Sequence, residues 1–368
     1  MNPLLTSPPP GTARPSEIRA WVRDYYGRTL THSEDLMTNA CCASAEPAAW
    51  LKDLLSNVHD DVHARFYGCG YPIPDAIGGR TLLDLGCGSG RDVYVLSQMV
   101  GRDGVVHGVD MTDAQLEVAR LTEDWHRRRF GYPASNVRFH TGYIEDLQSL
   151  DIPEASVDVV VSNCVVNLSP LKDVVLAEIF RVLKPGGEFY FSDVFADRRL
   201  PPELVFDPIL HSECLGGAMY RTDFESLAHR TGFHDPRVMT DAPISIENEE
   251  IERKVGAAAF TSVTYRLLKV EGLDEQCEDY GQVATYTGGV ANRASLFWLD
   301  DHHAFEVGRP ERVCRNTAVM LTDTRFAPYF DVSRPSTHFG EYPCGPTMAA
   351  QKYGEIRDGE VCGPGGCC

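Results

Sequence analysis

The chain has 368 residues, 43% of them hydrophobic, enough to bury a substantial core spread over two or three domains. Its 53 acidic against 34 basic residues give a formal charge of -19, which works against the clustered Lys and Arg that a phosphate backbone requires and argues against nucleic acid as a partner. No apolar run approaches the roughly 20 residues of a membrane helix, and the Pro-, Ser- and Thr-rich start lacks the apolar stretch of a secretory signal, so no membrane association and a cytoplasmic location are expected.

In chain order, helical character is expected over residues 16–26 and 48–62, which with the flexible tip form a cover spanning 1–58. Short apolar runs at 81–85, 105–109, 157–162 and 188–192 alternate with amphipathic stretches, the pattern of parallel strands joined by crossover helices. Thr112 and Gln115 have the spacing of a capping box that opens a helix, and a later helix stops at Lys184-Pro-Gly-Gly187. These elements predict an α/β fold with a doubly wound, Rossmann-like core over 59–198. Residues 199–248 complete the sheet after an insertion that carries Cys214. The alternating run at 260–268 and its aromatic surroundings predict a smaller C-terminal α+β domain over 249–344, followed by a flexible Cys-containing tail over 345–368. Nothing in the pattern requires assembly, so a monomer is expected.

Asp84-Leu-Gly-Cys-Gly-Ser-Gly90 follows a predicted strand and leads into a helix, so Gly86, Gly88 and Gly90 allow a tight turn and close approach to a ligand, with Arg91 opening the helix. Asp110, beside Met111, ends the next strand about 20 residues later, where an acid holds ribose hydroxyls. A nicotinamide dinucleotide would use the same arrangement. With no secretory signal, the twelve cysteines point to reduced thiols rather than a disulfide framework. Cys69, Cys164 and Cys214 each sit in a polar or glycine-flanked segment, and none has zinc-finger spacing. His59 and His63, four apart, read as a solvated helix face, and His302 and His303 as structural, although Cys277 and Cys314 offer them company. A tail ending Cys362-Gly-Pro-Gly-Gly-Cys-Cys368, with Cys344 before it, is either an auxiliary thiol segment that captures a ligand and passes it inward or a bland extension.

The glycine loop, Val109-Asp-Met111, Tyr143-Ile-Glu-Asp146 and Leu183-Lys-Pro-Gly-Gly187 resemble motifs of class I S-adenosylmethionine-dependent methyltransferases. Thr38-Asn-Ala-Cys41, Arg65-Phe-Tyr-Gly-Cys-Gly70, Val161-Ser-Asn-Cys-Val-Val-Asn-Leu-Ser169 and Glu213-Cys-Leu-Gly-Gly-Ala218 resemble the arsenite methyltransferases more specifically, over nearly the whole chain. The resemblance implies methylation of arsenite and trivalent methylarsenicals. Cys164 and Cys214 would hold arsenic(III), with Cys69 as third thiolate, and 199–248 would be the arsenic-binding segment. Cys41, or its neighbour Cys42, would pair with Cys69 in a disulfide that glutathione or thioredoxin reduces. Asp84, Gly86, Gly88, Gly90 and Arg91 would face the donor, Asp110 and Met111 its ribose, Ile144 and Glu145 its adenine, with Tyr67 and Asn163 as neighbours. Two other readings stay open on the sequence: methylation of a quinone or sterol carbon, and a nonenzymatic thiol protein that stores or senses arsenic.

Overall fold

The computed structural model describes residues 13–30, 35–38, 40 and 47–354. Helix α1 (Pro15–Asp24) buries Ile18 and Val22 and runs into a π-helical turn, Tyr25–Thr29. The single helix expected over 48–62 is two short ones, α2 (Ala49–Leu55) and α3 (Asp60–His63). The break falls at His59, whose ring Nδ1 accepts the Asp61 N–H at 3.2 Å and caps α3. That bond, a backbone bond from His59 to the His126 ring, and contact between the His63 ring and the Leu55 carbonyl give both histidines local partners.

The core alternates as β1 (Thr81–Leu85), α4 (Arg91–Val100), β2 (Val105–Asp110), α5 (Asp113–Arg129), β3 (Val137–Thr141), β4 (Val157–Asn163), α6 (Lys172–Val182) and β5 (Leu183–Ala196). Then come α7 (Pro202–Val205), α8 (Pro208–Ser212), β6 (Met219–Tyr220), α9 (Arg221–Thr231), β7 (Arg237–Ile244), α10 (Glu249–Val255) and β8 (Phe260–Leu268). The sheet order is β3-β2-β1-β4-β5-β8-β7, with β6 beside the end of β5. The strands from β3 to β5 are parallel, while β8 runs antiparallel to both β5 and β7. The order reverses between β1 and β4, and in open α/β sheets ligands bind at the carboxyl ends of strands at such a point.

Three sequence expectations give way here. Strand β8, assigned to a separate C-terminal domain, lies inside the main sheet, and most of its side chains are buried despite their Ser and Thr content. The capping box at Thr112 does not form: the Asp110 carboxylate takes the Thr112 N–H at 2.7 Å, and the Gln115 amide donates instead to the Tyr26 carbonyl at 3.0 Å. The tail beyond 345 begins as an ordered element, α12 (Met348–Tyr353), capped by Thr347 and packed on β11. Cys362, Cys367 and Cys368 lie outside the described residues.

The C-terminal part contains β9 (Val283–Tyr286), β10 (Leu296–Trp298), β11 (Ala304–Glu306), β12 (Pro310–Arg312), α11 (Arg315–Thr322) and β13 (Phe330–Val332). These form a β12-β9-β13 sheet and a β10–β11 hairpin around Tyr286, Phe297, Phe305 and Phe326. Buried charge ties this part to the main sheet. Glu188 of β5, fully buried, pairs with Arg266 of β8 and with Arg325, which follows α11. Burial pushes the Glu188 pKa up, but the two guanidiniums outweigh it and hold the carboxyl below its usual value. Arg237 of β7 binds Asp300 at 2.9 Å, and the same carboxylate meets the buried His303 ring at 2.8 Å, so the two adjacent histidines divide into a buried structural one and an exposed one. Among the described residues no helix is long and apolar enough to cross a membrane.

Candidate active site

A cavity with roughly 950 Å³ of empty space, its open mouth included, lies over the carboxyl ends of β1, β2 and β4. Of the residues expected from sequence, Tyr67, Asp84, Gly86, Gly88, Arg91, Asp110, Met111, Ile144, Glu145 and Asn163 line it. Gly90 does not. It opens α4 at φ 90°, and a Cβ there would meet Phe139 and Ala119 at 3.2 and 3.3 Å, so this glycine serves helix–sheet packing. At Gly86, with φ 69°, a Cβ would collide with Val165, so only glycine lets the loop turn over β4.

The cavity floor is acidic. Burial, and then the neighbouring Asp92 and Asp110 carboxylates, push Asp84 well above its usual pKa. Burial also raises Asp110, although its two oxygens accept the Gly88 and Thr112 N–H groups at 2.9 and 2.7 Å. Each carboxylate oxygen keeps a second lone pair for a ligand hydroxyl. Arg91 is committed to Asp92 at 2.7 Å and stacks over Phe66, leaving an environment suited to a cationic ligand. The Tyr67 and Gln115 side chains interact with each other in the lining, and Tyr67 Oη and Gln115 Oε1 are buried with no other hydrogen-bond partner among the described residues. Groups of that kind are costly unless a ligand pairs them. The residues present therefore fit a donor with a positive charge at one end and hydroxyls and ring nitrogens at the other.

Sequence reasoning missed part of this wall. Gln115 carried a visible signal but was assigned to a helix cap. Arg19 of α1 reaches the mouth and binds Glu145 at 3.1 Å, while Ser169 donates to the same oxygen at 2.7 Å. The Glu145 carboxylate thus fastens the helical cover over the cavity. Asn163 Nδ2 donates to Asp92 and to the Gly70 carbonyl at 3.0 and 2.9 Å, and its Oδ1 accepts the Gly70 N–H at 3.2 Å. This links β4 and the first turn of α4 to the turn carrying Cys69.

Cys164 follows β4 directly at φ 58°, and Cys214 follows α8 and Glu213 at φ 64°. Both adopt a left-handed backbone uncommon for residues with a side chain. The two sulfurs and the Asp193 carboxylate lie within 4.8 Å of one another, and the free Cys214 Sγ donates to the Cys164 carbonyl at 3.2 Å. Cys69 is joined to Cys164 in a disulfide, their Cα atoms 5.8 Å apart, which departs from the expected reduced thiols and from the implied Cys41–Cys69 pairing. Cys41 and Cys42 lie outside the described residues, but Ala40 packs in the same apolar cluster as Cys69, Cys164 and Cys214. Cys164 alone of the three also lines the cavity. Cys87 lies against Gly108 and belongs to the apolar core beneath the loop.

Charged neighbours surround the thiols. Burial pushes Asp193 up to about 7 and Lys172 down to about 8, and Lys172 donates to the Asn167 and Ser169 carbonyls. His211, buried on α8, is lowered to about 4 by burial and then by the charge on Lys172. The unfolded chain therefore binds more protons than the folded one between about pH 4 and 6.5. His211 stability is present above that window and lost as pH falls through it, by on the order of 3 kcal/mol. Urea denaturation of His211→Gln at several pH values should show a shallower rise from pH 4 to 6.5 than the parent. Equal slopes would contradict the assignment.

Glu213 is a functional neighbour that the sequence did not reveal. Fully buried, it accepts from Tyr25 Oη, the Met37 N–H at 2.8 Å and both the N–H and Oγ1 of Thr38 at 3.0 and 2.7 Å. The residue preceding Cys214 thereby holds the segment that leads to Cys41. In Glu213→Ala, amide hydrogen exchange at Met37 and Thr38 should accelerate by roughly tenfold or more, the loss of a charge-assisted hydrogen bond. Unchanged protection would show that the clamp is unimportant.

A family model described as a methyltransferase domain matches residues 78–241, the segment that supplies most of the cavity lining. The chain is 53% identical over 343 residues to an arsenite methyltransferase of Aquipseudomonas alcaligenes, covering 93% of this chain and 99% of that relative. It is 44% identical over 317 residues to an arsenite methyltransferase of Mus musculus, covering 85% and 83%. The crystal structure of an arsenic(III) S-adenosylmethionine methyltransferase from Chlamydomonas reinhardtii superimposes with a TM-score of 0.77 at 46% identity, covering 81% of this chain and 100% of that one. Relatedness along almost the entire chain, together with the site just described, shows that this protein belongs to the arsenite methyltransferase family.

Proposed function

We propose that the protein methylates trivalent arsenic, as arsenite thiol complexes and methylarsenite, with S-adenosylmethionine as methyl donor. The observation that carries this reading is the position of Cys164, which lines the acidic cavity and lies within 4.8 Å of Cys214 while bonded to Cys69. A metalloid held there adjoins whatever fills the cavity. The donor supplies an electrophilic methyl on a sulfonium, for which the buried Asp84 and Asp92 and the half-buried Asp110 provide a complementary field. Asp110 would take the ribose hydroxyls, and Tyr67 Oη and Gln115 Oε1, which pair only with each other among the described residues, would turn to the rest of the ligand.

The thiols do the selective work. Soft thiolates favour a thiophilic centre over hard cations. Cys164 and Cys214 hold arsenic, with Cys69 as third ligand, so that its lone pair faces the cavity. Attack on the methyl forms the arsenic–carbon bond and breaks the sulfonium–carbon bond, arsenic becoming formally pentavalent and S-adenosylhomocysteine leaving neutral at sulfur. No proton transfer is needed in that step, so orientation carries the catalysis. Turnover needs two electrons, and the pairing of Cys69 with Cys164 supports a reading in which two of the ligands supply them by forming a disulfide. Glutathione or thioredoxin would return them to thiols, with Cys41 as exchange partner, in a cytoplasmic monomer.

The reading requires that the oxidised chain be inert. Purified protein carrying the Cys69–Cys164 disulfide should form no S-adenosylhomocysteine, and adding a thiol reductant should start formation only when arsenite is present. Formation without arsenite, or before reduction, would overturn the proposal. The observed disulfide favours this reading over carbon methylation, which has no use for paired thiols beside the donor.

A further inference from the structure

A second group of three sulfurs lies in the C-terminal part. Cys277, in the loop before β9, is joined in a disulfide to Cys344, which precedes α12, and the free thiol of Cys314 caps α11 beside them. The three sulfurs lie within 4.8 Å of one another, and no His, Asp or Glu of the described residues joins the set. Cys314 is fully buried, whereas Cys344 is exposed, so the group opens to solvent on one side.

The disulfide is not what gathers these residues. The Tyr342 N–H donates to the Cys277 carbonyl at 2.7 Å, the Arg315 N–H to the Glu278 carbonyl at 3.0 Å, and the Asp279 N–H to the Gly340 carbonyl at 2.8 Å. Glu278 and Glu341 form a further backbone bridge, and Tyr342 Oη donates to the Arg312 carbonyl at 2.9 Å. Hydrogen bonds independent of the disulfide therefore tie the three cysteine-bearing segments together, and opening the disulfide leaves three thiols facing one another. Structural zinc takes four ligands in a tetrahedron. Three sulfurs without a fourth donor match instead the three-coordinate pyramid of a soft trivalent metalloid.

From this geometry we propose that Cys277, Cys314 and Cys344 form a second binding site for trivalent arsenic, opened when the Cys277–Cys344 disulfide is reduced. A dithiol reductant supplies two electrons and two protons, opening the disulfide and leaving as its own disulfide. The three thiols then replace the three hydroxyls of arsenite, each thiol proton departing with a hydroxyl as water, and arsenic stays trivalent. None of the three cysteines lines the donor cavity formed by the described residues, so this site captures without methylating. The choice of metalloid rests on the proposed function, but binding here needs no methyl transfer.

The test counts arsenic on the full-length chain. In a variant with Cys41, Cys42, Cys69, Cys164, Cys214, Cys362, Cys367 and Cys368 replaced by serine, arsenite added after dithiol reduction should leave a single arsenic per chain by native mass spectrometry. The same chain kept oxidised, or carrying Cys314→Ser as well, should hold none. Absence of arsenic from the reduced chain, or its retention after Cys314→Ser, would overturn the proposal. A parallel comparison covers misfolding of the multiple variant: Cys314→Ser alone should bind one arsenic fewer than the parent while keeping arsenite-dependent turnover. Equal stoichiometry would refute the second site, whereas turnover lost from both proteins with the difference in binding retained would refute only the methylation reading.

Discussion

Replacing Cys214 with serine is expected to lower kcat/KM for arsenite by at least about a thousandfold, some 4 kcal/mol of lost transition-state stabilisation. Serine fits the same space but offers a hard, protonated oxygen where the metalloid needs a thiolate. The substitution should leave binding of S-adenosylmethionine nearly unchanged, because Cys214 lies behind Cys164 and does not line the donor cavity. Cys164→Ser should lose arsenite turnover as severely while also shifting donor affinity, since that residue touches both compartments. Calorimetric titration of the donor beside steady-state kinetics separates the two effects. Cys214→Ser retaining more than about a tenth of parental kcat/KM would show that two sulfurs suffice and that this thiol is a packing residue.

Glu188→Ala should be the most damaging single change to stability, costing about 3–5 kcal/mol. The carboxylate is wholly buried between Arg266 and Arg325, so its removal leaves two buried guanidiniums facing each other without a counter-charge. Because Arg325 follows α11 while Arg266 belongs to β8, the loss should loosen the C-terminal part from the sheet as well as destabilise the whole. Urea denaturation gives the magnitude. Hydrogen exchange should show β9 and β13 losing protection before β1 and β4. A cost below about 1 kcal/mol, the range of an exposed pair, would mean that the triad is solvated in solution.

The parts legible in the sequence are those governed by local pattern. The glycine loop, Asp110 and the apolar runs of β1, β2, β4 and β5 follow from the periodicity and turn chemistry of adjacent residues, and the structure places them together at the switch point. Strand β3 escaped notice because Val137–Thr141 is short and only partly buried, with Arg138 and His140 interrupting the apolar signal. Strand β8 was visible as a strand, but its neighbours were not: pairing with β5 spans a long sequence separation that alternation cannot encode. Burial of its second face depends on the C-terminal part, which supplies the Leu299 carbonyl to Arg266 at 2.7 Å.

The same distinction holds in the site. Cys164 and Cys214 stood out by their polar, glycine-flanked segments and took their roles from family resemblance, and both adopt a left-handed backbone where two distant segments bring their sulfurs together. Glu213 went unnoticed because its partners, Tyr25, Met37 and Thr38, lie on the N-terminal cover, far away in sequence. Gln115 shows the opposite failure: a local rule explained it well enough to hide its place in the donor wall. The cysteine count pointed to reduced thiols, whereas the structure pairs Cys69 with Cys164 and Cys277 with Cys344. Composition reports the compartment expected for a chain, not which sulfurs the fold brings within bonding reach.

The most direct test follows the methyl group itself. Reduced protein would be supplied with arsenite and S-adenosylmethionine carrying a deuterated methyl, and arsenic species separated and weighed. The label should appear on arsenic, in amounts matching the S-adenosylhomocysteine formed, and vanish with Cys164→Ser. Arsenite held tightly with no labelled arsenic, or label found only on carbon of an added quinone or sterol, would contradict the account.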